Sequence, residues 1–312
     1  MTTSPRAIIT DWGFETLDPE REVFARAGVE MVALQCKTDK EVAEAVREAD
    51  VVITQWAPVK ALAISAMTRC KGIVRYGIGL DNVDLALAAE RGIPVRNIPD
   101  YCLHEVADHT IALMLALQRQ IGTVRDLTRA GTWKIVPPLK LPALRQSTLG
   151  LVGFGRIARL VASRAQAFGL RVLVADAYVT EDVFSAHGVE PVTTDTLFQQ
   201  ADIISLHCPL TDETRHLVNQ QTLSRMKPLA LLVNTSRGAL IDTPALVNAL
   251  RENQLAGAAL DVLEQEPPPA DSELLKLSNA IITSHISWYS GASVAELQRL
   301  AAEAAVELLG RS

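Results

Sequence analysis

The chain alternates short aliphatic runs with amphipathic segments, beginning within its first ten residues. In the first third, the aliphatic runs predict strands at residues 6–10, 29–34, 51–53, 71–75 and 94–96. Apolar residues at three- and four-residue steps predict helices between them, at residues 19–27, 39–48, 59–67 and 83–91. Gly28 and Gly92 stand where glycines commonly end helices. This alternation is typical of repeated strand–helix units around a parallel sheet.

The middle of the chain interrupts this alternation. The longest helical pattern covers residues 101–121 and is expected to cross between two domains. Residues 123–143 follow, with Gly131, Trp133 and prolines at 137, 138 and 142. This composition predicts neither a regular helix nor a central strand for the whole segment.

A second alternating region follows, with a strand at residues 148–152, a helix ending at Phe168 and a strand at residues 171–175. A last helix, at residues 293–309, is expected to return to the first region. The sequence thus predicts an α/β protein of two Rossmann-like or flavodoxin-like parallel-sheet domains with a cleft between them. Residues 1–101 with 287–312 form one domain in this prediction, and residues 102–286 form the other.

Composition narrows the class of protein without changing this architecture. The length of 312 residues suits two domains, and 48% hydrophobic with 21% charged residues is ordinary globular composition. A net charge of −6 gives no general attraction to nucleic acid or to an anionic membrane. The four cysteines show neither paired nor zinc-ligand spacing, and neither a secretory signal nor a membrane-length apolar segment is evident. We therefore expect a cytoplasmic protein without a metal.

The strand at residues 148–152 leads directly into a glycine motif, Gly153-Phe154-Gly155-Arg156-Ile157-Ala158. The first glycine allows a tight turn, the second lets a pyrophosphate approach the backbone, and the small last residue lets helix and strand pack closely. Asp176 follows Gly153 by 23 residues and ends the next strand, where an acid binds the adenosine ribose. This pattern favours NAD over NADP. The alternative is an ordinary glycine turn with a helix-capping aspartate.

Three ionisable residues follow aliphatic runs in the second half: Arg237, Glu266 and His285. Ligands of open α/β sheets bind beyond the carboxyl ends of strands, so these side chains can meet in one crevice. Reduction of a 2-oxoacid needs a cation for the carboxylate, a proton donor for the forming alkoxide and an acid that orients the donor. Arg237, His285 and Glu266 suit these roles in that order, and a carboxylate beside His285 should raise the histidine pKa.

Each of these residues also has a structural interpretation. Arg237 could pair on the surface, Glu266 could lie in a solvated loop, and His285 could be a core histidine with its hydrogen bonds satisfied. Four further histidines, in helical or polar-loop settings, are interpreted as structural: His104, His109, His187 and His216.

Several segments together resemble the D-isomer-specific 2-hydroxyacid dehydrogenase family, and the likeness extends over nearly the whole chain. They are residues 76–84, 153–158, 207–210, 234–238 and 259–267, with Asp176 and His285. The resemblance implies that Arg237, Glu266 and His285 are the catalytic trio, with hydride passing between nicotinamide and substrate C2.

The resemblance also implies further contacts with the cofactor. Asp261 and the backbone near Thr235 and Ser236 would surround the nicotinamide carboxamide, and His207, Cys208 and Pro209 would line the cofactor cleft. With the glycine motif, the implied NAD contacts are Gly153, Phe154, Gly155, Arg156, Ile157, Asp176, His207, Cys208, Pro209, Thr235, Ser236, Arg237, Asp261 and His285.

Substrate contacts are implied in the first domain. Ile78 and Gly79 would lie on a loop whose N–H groups hold the substrate carboxylate, although the same residues suit an ordinary glycine-rich turn. The run 287–290 after His285 looks like the C-terminal-binding-protein branch of the family, dehydrogenase-like corepressors and their bacterial relatives. In that branch, residues at the positions of Trp288 and Arg75 face the substrate. Trp288 could equally anchor the core, and Arg75 could lie on the surface.

Two expectations about function follow from the resemblance. The first is an NAD-dependent D-2-hydroxyacid dehydrogenase that acts mainly as a 2-oxoacid reductase. The alternative is an NAD(H)-sensing interaction protein with vestigial activity. Phosphoglycerate dehydrogenases place an Arg where this chain has residues 54–56, Thr-Gln-Trp, and many carry a regulatory domain for which a chain ending at residue 312 has no room. Both points argue against 3-phosphoglycerate. The family also implies a homodimer through residues 101–143.

Overall fold

The computed structural model describes residues 4–133 and 140–310. The chain divides into two compact units, Met1–Cys102 with Tyr289–Ser312, and Leu103–Trp288. Each contains a parallel sheet flanked by helices, so the predicted fold class is confirmed. Residues 134–139, which include two prolines of the predicted dimer segment, lie outside the described residues.

The sheet of the first unit is built from short aliphatic strands. They are β1 (Arg6–Ile9), β2 (Glu30–Ala33), β3 (Val51–Thr54), β4 (Ile73–Arg75) and β5 (Val95–Asn97). The order is β2-β1-β3-β4-β5, and every pair is parallel. β3 is buried along its whole length, as expected for a central strand covered on both faces.

Helices of the first unit begin and end near the predicted positions. They are α1 (Asp18–Ala27), α2 (Asp39–Ala45), α3 (Ala61–Ala66), α4 (Leu85–Glu90) and, from the end of the chain, α12 (Gly291–Leu308). Gly28 takes a left-handed φ of 65° directly after α1, and Gly92 takes 66° after α4. Both glycines therefore end helices as the sequence predicts.

A buried polar cluster ties α1, α12 and the end of β4 together. The Tyr76 hydroxyl donates to Glu20 Oε1 at 2.7 Å, and Gln298 Nε2 donates to Glu20 Oε2 at 2.9 Å. Burial raises the pKa of Glu20, although these hydrogen bonds oppose the rise. Tyr76 precedes the loop of residues 77–79, so this cluster fixes where that loop begins.

The sheet of the second unit is larger. Its strands are β6 (Thr148–Val152), β7 (Arg171–Ala175), β8 (Glu190–Pro191), β9 (Ile203–Leu206), β10 (Ala230–Asn234), β11 (Leu255–Leu260) and β12 (Ala280–Ile282). The order is β12-β11-β10-β9-β6-β7-β8, with every pair parallel. The direction of winding reverses between β6 and β9, which is where doubly wound sheets bind ligands.

Helices cover both faces of this sheet. They are α5 (Leu103–Gln118), α6 (Ile121–Arg129), α7 (Arg156–Ala167), α8 (Glu181–Ala186), α9 (Thr194–Gln200), α10 (Gln220–Leu223) and α11 (Thr243–Arg251). Ala158, Ala162 and Ala165 of α7 are buried, so small residues let this helix pack closely on the sheet.

Two expectations for residues 101–143 are wrong. Residues 121–129 form the regular helix α6, because the prolines and Gly131 all lie beyond its last residue. The long pattern at 101–121 is also not one helix, since Gln120 has a left-handed φ of 51° between α5 and α6. Among the described residues, the longest helix is α12, with 18 residues against 16 in α5.

No helix in residues 4–133 or 140–310 combines the length and the apolar composition that crossing a membrane requires.

Candidate functional site

Two loops meet at the point where the second sheet reverses direction. Gly153 follows β6 with φ at 89°, a left-handed conformation that favours glycine. A Cβ on Gly153 would lie 2.7 Å from the backbone nitrogen of Cys208, in the loop after β9. Only glycine lets these two backbones approach so closely.

The second glycine of the motif faces open space. Apart from its two neighbours along the chain, no described residue has an atom within 4 Å of a Cβ built on Gly155. Gly155 is the N-cap of the twelve-residue α7, and the N-terminus of a helix carries a partial positive charge. Phe154 buries its ring in the core, so only its backbone can face a ligand. An anion such as a pyrophosphate therefore fits at Gly155.

Asp176 is half-buried beside this turn. Its Oδ2 accepts a hydrogen bond from the Phe154 N–H at 2.7 Å, and its Oδ1 accepts one from the Tyr178 N–H at 2.8 Å. The acid predicted to bind ribose therefore also holds the glycine turn. Arg156 and Ile157 occupy the first turn of α7, with Arg156 exposed and Ile157 packed against the core.

Residues after β9 form the facing loop. Burial lowers the pKa of His207 to about 4, so its ring is neutral at pH 7, and Ser205 Oγ lies 2.9 Å from its Nε2. Burial raises the pKa of the Cys208 thiol to about 11, so this cysteine stays protonated. Pro209 is exposed, and its carbonyl accepts a hydrogen bond from Thr214.

Arg237 lies on the turn after β10, and two side-chain hydrogen bonds hold this turn in place. Asn234 Nδ2 donates to the Arg237 carbonyl at 2.8 Å, and Ser236 Oγ donates to the Leu206 carbonyl at 2.7 Å. A Cβ on Gly238 would collide with the backbone at Leu263 in the turn after β11. Gly238 therefore lets the turn that carries Arg237 rest on the neighbouring turn.

The Asp261 side chain accepts several hydrogen bonds from the turn after β12. This carboxylate is buried, and it accepts hydrogen bonds from the Ile286 N–H at 3.0 Å, the Ser287 N–H at 2.8 Å and the Thr283 hydroxyl. Burial alone would raise the pKa of Asp261, but the bonds from Thr283 and Ser287 outweigh it and lower the pKa. The Asp261 carbonyl also accepts the His285 N–H at 2.8 Å.

His285 and Glu266 are in direct contact. His285 Nδ1 lies 2.7 Å from Glu266 Oε2, and the other Glu266 oxygen accepts the Leu263 N–H at 2.8 Å. Burial opposes ionisation of Glu266, but its contacts with His285 lower its pKa overall, so the carboxylate is charged at pH 7. Trp288 Nε1 donates to the His285 carbonyl at 2.8 Å. Arg237 stands on the adjacent turn, where its Nη1 donates to the Ser236 carbonyl.

Sequence reasoning missed two residues of α5 that touch this edge of the sheet. His109 Nε2 lies 3.1 Å from Thr283 Oγ1, and Thr110 Oγ1 lies 2.8 Å from Thr235 Oγ1. The available signal was their spacing, three and four residues after the buried Val106, which places polar side chains on an inward face of the helix.

The predicted substrate residues of the first unit lie at the last residue of β4 and on the loop that follows it. The Arg75 guanidinium lies directly over Gly77, where a Cβ would collide with it, and Gly77 has φ at 125°. The Asn97 amide donates to the Ile78 carbonyl at 2.6 Å. Ile78 and Gly79 are half-buried. A cation and half-buried loop backbone thus lie together at the end of β4.

Comparison with known proteins identifies relatives of this chain. A family model, the NAD-binding domain of the D-isomer-specific 2-hydroxyacid dehydrogenases, matches residues 111–287. A glyoxylate reductase of Korarchaeum cryptofilum is 39% identical over 268 residues, which are 85% of this chain and 81% of that protein. A hydroxypyruvate reductase of Thermotoga maritima is 41% identical over 262 residues, 83% of each chain.

Other relatives differ in length or in substrate. A D-3-phosphoglycerate dehydrogenase of Methanocaldococcus jannaschii is 41% identical over 266 residues, which are 85% of this chain but 50% of that protein. The crystal structure of an Aquifex aeolicus D-lactate dehydrogenase, in complex with NAD and lactic acid, has a TM-score of 0.87 at 28% identity. That similarity covers 96% of this chain and 93% of the other.

Proposed function

The chain belongs to the D-isomer-specific 2-hydroxyacid dehydrogenase family, and we propose that it reduces small 2-oxoacids to D-2-hydroxyacids with NADH. The observation that carries this proposal is the 2.7 Å contact between His285 and Glu266 at the carboxyl edge of the second sheet. The alternative, an NAD(H)-sensing interaction protein, is not favoured, since the named relatives are oxidoreductases. The likeness of residues 287–290 to the C-terminal-binding-protein branch stays a prediction.

The second unit is the domain that holds NAD in this proposal. The open space at Gly155 and the start of α7 suit the pyrophosphate, and the Asp176 carboxylate suits the adenosine ribose. The loop at residues 207–209 is proposed to line the cofactor cleft, and the backbone at residues 235–236, with Asp261, is proposed to lie around the nicotinamide carboxamide. When bound, NADH supplies the hydride.

His285 is proposed to donate a proton to the substrate carbonyl oxygen. Because its Nδ1 lies against Glu266, its Nε2 is the ring nitrogen left to face a substrate. The ionised Glu266 fixes the orientation of the His285 ring through the contact with Nδ1. Arg237 is proposed to hold the substrate carboxylate and polarise the carbonyl, because its guanidinium can bind a carboxylate through two parallel hydrogen bonds.

The first unit is proposed to bind the substrate. Its loop at Ile78 and Gly79 would offer N–H groups to the substrate carboxylate, with Arg75 beside it. In the second unit, Trp288 is a proposed substrate contact. We propose a two- or three-carbon 2-oxoacid, such as glyoxylate or hydroxypyruvate, which the names of the relatives support. Residues 54–56, Thr-Gln-Trp, stand where phosphoglycerate dehydrogenases place an Arg, which disfavours a phosphorylated substrate.

Two properties of the whole protein complete the proposal. We propose a homodimer formed through residues 101–143, of which the structure describes 101–133 and 140–143. We also propose a cytoplasmic location, which the free thiols of all four cysteines favour.

Turnover of a substrate panel tests the proposed reaction. Purified protein with NADH should reduce glyoxylate or hydroxypyruvate among a set of 2-oxoacids, with NADH absorbance as the readout. His285→Ala should lower kcat by about 10²- to 10⁴-fold, as expected for loss of a general acid. His104→Ala is the matched control, because this exposed histidine contacts Arg164 on the protein surface. If none of the 2-oxoacids oxidises NADH, or if His285→Ala keeps full activity, the proposal fails.

A further inference from the structure

One helix contacts the turns that carry two of the proposed catalytic residues. The His109 side chain of α5 contacts Thr283, which lies two residues before His285. The Thr110 side chain contacts Thr235, which lies two residues before Arg237. The Thr110 hydroxyl donates to the Val106 carbonyl at 2.7 Å, so it accepts from Thr235. α5 is therefore bonded by side chains to the ends of both β10 and β12.

The turn at His285 needs such support. His285 has φ at 57°, in the left-handed region that residues other than glycine rarely adopt. Asp261 maintains this conformation by accepting the N–H groups of Ile286 and Ser287 on one carboxylate. The position of that carboxylate therefore sets the direction in which the His285 ring leaves the backbone.

Thr283 links Asp261 to His109. The Thr283 hydroxyl has one proton, which it donates to Asp261 Oδ1. The Thr283 oxygen can then only accept a hydrogen bond from His109 Nε2, which lies 3.1 Å away. This hydrogen bond requires the His109 tautomer that has a proton on Nε2. The same His109 nitrogen lies 3.6 Å from Asp261 Oδ1, so it faces both groups. The Asp261 side chain is fully buried, so solvent does not compete for the hydrogen bonds that its carboxylate accepts.

We propose that His109 is a positioning residue for His285, acting through Thr283 and Asp261. His109 orients the Thr283 hydroxyl, the hydroxyl fixes the Asp261 carboxylate, and the carboxylate holds the strained turn so that the His285 ring stays on Glu266. This role rests on the proposed function of His285 as proton donor. His109 affects the proton-transfer step without touching substrate or cofactor.

Paired substitutions test the two contacts of this chain of hydrogen bonds. His109→Leu removes the donor, whereas His109→Gln places an amide N–H near the lost Nε2. Thr283→Val removes the hydroxyl at nearly constant shape, whereas Thr283→Ser keeps it. His104→Leu is the control, because it makes the same change at an exposed position of the same helix.

We expect a defect confined to turnover. His109→Leu and Thr283→Val should each lower kcat by about 10- to 100-fold, the effect of a small misplacement of a reacting group. The KM for the 2-oxoacid should stay within about twofold. Gln at 109 and Ser at 283 should restore most of the activity. The double variant should be no slower than Thr283→Val, because both changes interrupt one path.

Several results would overturn the proposal. It fails if His109→Leu retains wild-type kcat, if its loss adds fully to that of Thr283→Val, or if the only change is in NADH binding. Thermal unfolding shows whether each variant folds, and if His109→Leu does not, the Thr283→Val and Thr283→Ser pair decides the question.

An NMR measurement separates this proposal from the proposed reaction. The ring signals of His285 in 15N-histidine-labelled protein are assigned by their loss in His285→Ala. They should shift in His109→Leu and Thr283→Val but not in His104→Leu. If the wild-type protein reduces no 2-oxoacid, the proposed function fails while these spectra still test the positioning role, and unchanged His285 signals would refute it.

Discussion

At the scale of single residues, Asp176 has two separate roles. Its carboxylate accepts the Phe154 N–H of the glycine turn, and its negative charge would repel the 2′-phosphate of NADP. Asp176→Ala should therefore relax the preference for NADH over NADPH by about tenfold or more, since like charges in contact cost several kcal/mol. The ratio of kcat/KM for the two cofactors measures this change.

Asp176→Asn separates the two roles. The Asn side chain keeps an oxygen that accepts one of the two N–H groups, but it loses the charge. It should relax cofactor preference as far as Ala does, with a smaller loss of thermal stability. A cofactor ratio that is unchanged in both variants would show that Asp176 does not discriminate between the cofactors.

Residues with a fixed spacing in sequence were predictable, whereas residues that act across the fold were not. The positions of Gly153 and Asp176 follow from a local strand–turn–helix pattern, and the expected pairing of Glu266 with His285 rests on two turns after neighbouring strands. His109 lies 174 residues before the threonine it contacts, so no local pattern reports the contact. The buried carboxylate of Asp261 is likewise visible only once Ile286 and Ser287 are placed around it.

At the scale of secondary-structure elements, the two glycines between β6 and α7 have different tasks. Gly153→Ala should destabilise the fold by about 1–3 kcal/mol, because φ at 89° is strained for alanine and the clashing atoms are backbone. Gly155→Ala should leave stability unchanged and weaken NADH binding, because its Cβ enters space open to the pyrophosphate. Urea unfolding and NADH fluorescence titration measure the two effects.

The control for this pair is Gly291→Ala, at the start of α12, where no described atom lies within 4 Å of the new Cβ. It should change neither stability nor binding. Normal NADH affinity in Gly155→Ala would place the pyrophosphate elsewhere.

Element boundaries between residues 101 and 133 show what periodicity alone misses. The apolar pattern runs continuously across Gln120, but the backbone turns there through a left-handed residue and starts a new helix. Such a break needs one residue in an unusual conformation, and glutamine gives no hint of it, because the turn signals of sequence analysis are Gly, Asn and Pro. The pattern does not predict α6 because the prolines at 137, 138 and 142 argue against a regular helix over residues 123–143. Those prolines lie beyond Arg129, the last residue of α6.

At the scale of the whole molecule, the apolar face of α6 predicts that this helix contacts a second copy of the chain. None of the nine residues of α6 is buried among the described residues, although Ile121, Val124 and Leu127 recur on one face. Ile121 also lines a groove of about 1050 Å³ with residues of α5 and residues 274–282. A second copy of the chain that covers this face would remove its apolar side chains from water.

The predicted dimer can be tested with one charge. Ile121 is 56% exposed, and Ile121→Glu would place a carboxylate on the face that a partner should bury. Sedimentation velocity should show a dimer for the wild-type chain and a shift to monomer for the variant. Leu62→Glu is the matched control, since Leu62 of α3 is 59% exposed and lies in the first unit. A wild-type chain that sediments as a monomer, or an Ile121→Glu variant that stays dimeric, would show that this face is not where two copies meet.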